Sequence, residues 1–138
     1  MLRLNKKLEY GIIALLHLDS CPDRIASVRE IANHCNIPET LLSKIMQHMK
    51  NVGFVSAVYG NNGGYRLNRE LSQINLLDIN QVLVGPVQVT ECLEPGNAQC
   101  PAIDQCSIAT PMTILNQKLI HLFQSTSLET LAMRKVAR

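Results

Sequence analysis

A mainly α chain with a small β-hairpin wing is the fold this sequence predicts, laid out as a winged helix-turn-helix plus a long C-terminal dimerisation helix. Three observations predict it. Two short helical patterns flank Asn36-Ile37-Pro38, a Gly- and Asn-rich turn between alternating strands follows them, and an apolar 3–4–3 repeat lies near the C-terminal end. At 138 residues, 46% hydrophobic, the chain is long enough for one domain with an appended element, and short enough that a second copy would usefully extend its core. The expected divisions are 1–86 for the winged unit, 87–107 for a cysteine-rich loop, and 108–138 for the dimerisation helix and C-terminal tail.

The first helix follows from Leu8, Ile12, Leu15 and Leu16, spaced i, i+4, i+7 and i+8 on one face. Lys6 and Lys7 before "GIIALLHL" imitate a secretory leader. The apolar run is too short, carries His17, and leads into Asp19 with no small-residue cleavage site. It is also far below membrane-spanning length. A cytoplasmic chain without membrane contact is expected, and its five cysteines are then reduced thiols or metal ligands rather than a disulfide framework.

Ser27 and Glu30 form a capping-box pattern that opens the second helix, with Val28, Ile31, Ala32 and Cys35 on its apolar face. Asn36-Ile37-Pro38 ends it, and a third helix runs from about Glu39 to Asn51, with Gly53 beyond as a stop. Leu42, Ile45, Met46 and Met49 make its inward stripe. Thr40, Ser43, Lys44 and Gln47 share another side, at i, i+3, i+4 and i+7. Hydroxyl, amide and ammonium groups gathered toward a helix N-terminus can exchange hydrogen bonds with base edges, as a recognition helix does. Alone, such a face reads better as ordinary solvated surface.

The next stretch, "FVSAVYGNNGGYRL", alternates apolar with polar or small residues and turns at Gly60-Asn61-Asn62-Gly63-Gly64. A hairpin directly after a recognition helix is a wing, and it moves the balance toward DNA binding. Charge agrees: residues 1–70 hold nine Lys/Arg against six Asp/Glu, and residues 71–138 hold four against five. Asn75 and Asp78 then cap a short helix, about Leu76 to Val84, stopped by Gly85-Pro86. No nucleophile–base pair or phosphate-binding loop stands out, so no catalytic residues are expected and an enzyme is not the reading.

Thr110-Pro111 starts the last long helix, where Met112, Leu115, Leu119 and Leu122 form an a/d seam widened by Ile114 and Phe123. Such a face packs on its own domain or on the same helix of a second copy. The homodimer is favoured because it would let two recognition helices address successive major grooves. Just before this helix stand Cys92-x7-Cys100-x5-Cys106. Thiolates are soft donors for zinc or iron–sulfur clusters. Zinc sites more often show tight C-x2-C pairs, and wider loop spacings suit a larger cluster. Three incidental thiols, or a thiol switch without metal, stay open.

On these residues the chain resembles the IscR and NsrR type of winged-helix transcriptional regulators. The likeness covers nearly the whole length: "MLRLNKKLEYGIIALLHL", "SVREIANHCNIPETLLSKIMQHMKNVGFVSAVYGNNGGYRL", and the cysteine triplet before the long helix. The resemblance implies a bacterial homodimer on palindromic double-stranded promoter DNA. Each subunit would carry an iron–sulfur cluster, 2Fe-2S favoured over 4Fe-4S, reporting iron–sulfur status, oxidants or nitric oxide. Cys92, Cys100 and Cys106 match the cluster ligands. One branch takes its fourth ligand from a histidine three residues past the last cysteine, where this chain has Ala109. Another uses an acidic residue of the first helix, supplied by the partner subunit, and Glu9 stands at that position. Thr40, Ser43 and Lys44 match base-facing positions. Tyr59 stands where the family often carries an arginine that enters the minor groove, so that reading is either weaker here or shifted to Asn61, Asn62 and Arg66. Ser27, Lys50, Arg3 and Lys6 are expected to contact phosphates. The rivals are a thiol-switch or zinc-bound regulator without a cluster and an iron–sulfur electron carrier, which has no use for a recognition helix.

Overall fold

The computed structural model describes residues 2–93 and 100–133. Helix α1 spans Lys6–Ser20, and the Asn5 side chain caps it by accepting from the Lys7 N–H at 2.8 Å. Leu8 and Leu15 are buried as the spacing requires, with Ile12 and Leu16 packed against the same core. Gly11 lies on the same helix, and a Cβ there would run into the Leu83 side chain, so its absence lets α1 approach the fourth helix closely.

Helix α2 (Val28–Cys35) opens on the complete capping box. The Glu30 N–H donates to Ser27 Oγ at 3.1 Å, and the Ser27 N–H donates to the Glu30 carboxylate at 3.0 Å. Asn36 takes the left-handed conformation that closes α2, Ile37 inserts into the core, and Pro38 introduces α3, Glu39–Asn51. All four residues of the expected inward stripe of α3 are buried: Leu42, Ile45, Met46 and Met49.

Gly53, at φ +83°, turns the chain out of α3. Strands β2 (Val55–Val58) and β3 (Gly64–Leu67) then form the wing. The sequence reading missed a third strand. Ile25–Ala26, labelled β1, pairs antiparallel with β3, so the sheet order is β1-β3-β2. Asp23 and Arg24, both in the left-handed region, turn the chain into β1. Arg24 stabilises that bend: its guanidinium donates to Asp19 (3.0 Å), to the Arg69 carbonyl (2.8 Å) and to Glu70 (3.3 Å).

Helix α4 (Leu76–Leu83) is capped by Asn75, whose side chain accepts from the Asp78 N–H at 2.9 Å. Helix α5 covers Ala109–Ser125, with Pro111 in its first turn, where a missing N–H costs nothing. A sixth helix, α6 (Leu128–Met133), was not foreseen. Its Leu128 is fully buried, and the Leu128 N–H donates to the Ile74 carbonyl at 2.9 Å. The fold is thus mostly helical with a small three-stranded antiparallel sheet, and its core gathers α1, α3, α4, the wing base and Leu128.

Candidate nucleic-acid interface and thiol segment

Thr40, Lys44 and Gln47 are exposed on α3, opposite its buried stripe, and Lys50 is exposed in the last turn. Ser43 is half-buried, and its hydroxyl donates to the Glu39 carbonyl at 2.9 Å, leaving only its lone pairs for a further partner. Ser27 Oγ is the α2 cap acceptor, but its O–H remains free to donate. The wing is tied to α3 by the Phe54 N–H, which donates to the Met49 carbonyl at 3.0 Å while the Phe54 ring is buried. The hairpin therefore leaves the recognition helix at a fixed angle. Tyr59 is 87% exposed at the end of β2, Asn61 and Asn62 are exposed at the tip, and Arg66 is exposed on β3. An aromatic side chain that bare is costly to leave in water, and a groove-facing wing gives it a surface to meet.

Cys92, Cys100 and Cys106 are half-buried and free of disulfides. Cys92 lies 3.1 Å from the Thr90 hydroxyl. Upstream of it, the Val89 N–H donates to Asn116 Oδ1 at 3.0 Å, so α5 holds the segment that leads to this thiol. Three unpaired thiols are the soft donors an iron–sulfur cluster takes, and in chemical type the set fits one. Their arrangement is open: among the described residues no three His, Cys, Asp or Glu side chains stand close enough together to hold a metal ion. Residues 94–99, between the first two thiols, lie outside the described residues. Glu9, in the first turn of α1, pairs with Lys6 at 2.9 Å and holds that ammonium pKa above its ordinary value.

The expected seam on α5 divides in two. Met112 and Leu119 are half-buried and Phe123 packs on the core, whereas Leu115 (42%) and Leu122 (55%) are exposed, with Ile108 and Ile114 beside them also exposed. Between α5, the N-terminal arm and residues 86–89 lies an open, largely apolar cavity of about 390 Å³. No helix among the described residues is long and apolar enough to cross a membrane.

A helix-turn-helix whose second helix shows a polar outer face and leads straight into a three-stranded wing defines a winged-helix DNA-binding protein. The chain belongs to the Rrf2 family, iron-dependent transcriptional regulators, which it matches over residues 4–134. It is therefore a regulator of transcription and not an enzyme. It is 34% identical over 107 residues to protein aau3 of Rhizobium meliloti (strain 1021), covering 78% of this chain and 70% of that protein. Among solved structures it is similar to CymR (YrzC), the global cysteine regulator of B. subtilis, at 30% identity and a TM-score of 0.74, covering 96% of this chain and 98% of that one. It shares the fold of T. potens IscR, at 21% identity and a TM-score of 0.71, covering 99% of this chain and 93% of that one.

Proposed function

We propose that this regulator works as a cytoplasmic homodimer on palindromic promoter DNA, and that an iron–sulfur cluster in residues 87–107, 2Fe-2S before 4Fe-4S, sets its affinity. The observation that carries this reading is the placement of three free thiols between the winged unit and a helix that bares half its apolar face. The family's description as iron-dependent supports it.

In this reading Cys92, Cys100 and Cys106 hold the cluster, and Glu9 of the second copy completes the set. A bound cluster supplies iron that oxidants or nitric oxide can alter or remove. A carboxylate is a hard donor among thiolates and the ligand most readily displaced. To serve, Glu9 must give up its pair with Lys6, an exposed contact of small worth. Glu9 belongs to α1, and α1 packs directly on α3, so a pull at Glu9 reaches the recognition helix through one layer of side chains. Thr40, Ser43, Lys44 and Gln47 then meet base edges, Tyr59, Asn61, Asn62 and Arg66 serve the minor groove, and Ser27 and Lys50 meet phosphates.

The test is anaerobic purification with iron and sulfide counts, followed by promoter binding before and after iron removal. A coloured protein whose affinity changes about 5- to 150-fold is expected, corresponding to roughly 1–3 kcal/mol of coupling. Glu9→Ala should shorten the lifetime of the cluster or shift its spectrum, and an unchanged spectrum and lifetime would remove Glu9 from the ligand set. A second reading is a thiol switch without a cluster. The open arrangement of the three thiols favours it, as does the likeness to a protein named as a cysteine regulator. It predicts colourless, iron-free protein whose DNA affinity still changes when the thiols are oxidised.

A further inference from the structure

The last turns of α1 and α2 meet at a seam where His17 and His34 bring their rings to 4.6 Å between centroids, tilted by 37°. The fold brings His34 its neighbour from 17 residues upstream. Neither ring has a hydrogen-bond partner among the described residues. His34 is exposed and His17 half-buried, which leaves the pair open to solvent.

We propose that His17 and His34 form a two-imidazole chelate for a borderline-soft divalent cation of the zinc class, separate from the thiol segment. Two imidazoles on one tetrahedral ion, at metal–nitrogen distances of about 2.0 Å, hold their ring centroids roughly 5.1 Å apart, and this pair, at 4.6 Å, needs a shift of only about half an ångström to reach that spacing. His17 and His34 each lie in the last turn of their helix, where the negative end of the dipole favours a cation. Glu30 adds a carboxylate charge on the same side of α2 as its cap contacts allow, near enough to act on His17. Burial and the neighbouring His34 hold His17 below its ordinary pKa.

Cys21 and Cys35 flank the seam, but burial pushes both thiols above their ordinary pKa, and both pack against the core. Among the described residues no third donor stands close enough to join the two imidazoles. Two protein ligands with water in the remaining positions make a weak, exchangeable site. Its effect would be mechanical, fastening the end of α1 to the first helix of the helix-turn-helix.

The imidazole chelate does not depend on the cluster, and the experiment keeps the two apart. Zinc is titrated into metal-stripped full-length chain carrying Cys92→Ser, Cys100→Ser and Cys106→Ser. At about a hundredfold above the half-saturating concentration the melting midpoint should rise by about 9 °C. His17→Gln or His34→Gln should abolish the rise, and its persistence in either variant overturns the proposal. Imidazole nitrogen resonances provide a readout that needs no substitution and can be taken on the native chain. Zinc should shift His17 and His34, and a shift confined to His48 or His121, or none, overturns the assignment. Cobalt in place of zinc gives a final check on the serine-substituted chain. A thiolate-to-cobalt charge-transfer band would assign the ion to Cys21 and Cys35 and overturn the imidazole chelate, whereas d–d bands alone support it.

Discussion

Gly64 stands where a side chain has no room. Its φ is +152°, and a Cβ there would collide with the Ala26 carbonyl and the Ser27 backbone, neither of which can swing aside. Gly53 makes the contrast: its φ of +83° also disfavours other residues, but nothing lies within 4 Å of its missing Cβ. Gly53→Ala should therefore cost only the left-handed conformation, about 1–2 kcal/mol. Gly64→Ala should cost more than that, roughly 3 kcal/mol, because β1 must also part from β3. Urea unfolding of the two variants checks this, and equal losses would mean that the β1–β3 contact contributes nothing. The glycines were read in the sequence as turn residues, which is right for Gly60 and incomplete for Gly64. Backbone crowding from a strand nearly forty residues earlier leaves no local mark. The same limit applies at the recognition helix, where spacing placed Ser43 on the polar face but could not reveal that its hydroxyl is turned back onto Glu39.

Helices α1 to α5 could be read because each carries enough apolar repeats to define a face, and three of them also begin with a side-chain cap. The missed elements are the short ones. Two residues of β1 cannot display a period, and α6, with six residues, falls below two turns. What holds α6 is tertiary: Leu128 is fully buried, the Leu76 N–H donates to the Thr126 carbonyl at 3.0 Å, and Ser127 bridges to Asn75. Leu128→Ala should thus behave as a core truncation and cost about 2–5 kcal/mol. Leu131, 37% exposed on the same helix, should cost far less when truncated. If chemical denaturation finds the two alike and small, α6 is not part of the cooperative core. The thiol segment was legible as chemistry and not as shape. Cysteine count and spacing name the donors, but a stretch broken by proline and glycine has no periodicity from which to place them.

A winged unit alone meets one half-site, and the phosphate and base contacts of one recognition helix give modest affinity. The apolar face of α5 bears on how two such units would be joined. Its inner side is occupied by the chain's own core, through Phe123, while Leu115 and Leu122 project into solvent at 42% and 55% exposure. Those two side chains contribute little to folding a single copy and would contribute most to holding two together. Leu115→Glu combined with Leu122→Glu should therefore leave the melting midpoint close to the parent's at low protein concentration, yet shift the chain to a monomer in sedimentation. Operator affinity should fall on the order of a hundredfold or more, because the second half-site is then met by an independent molecule rather than a tethered one. Binding to a single half-site should stay as it was, since α3 and the wing are untouched. A double variant that remains dimeric would place the interface elsewhere, and one that becomes monomeric with full operator affinity would show that the two reading heads act alone.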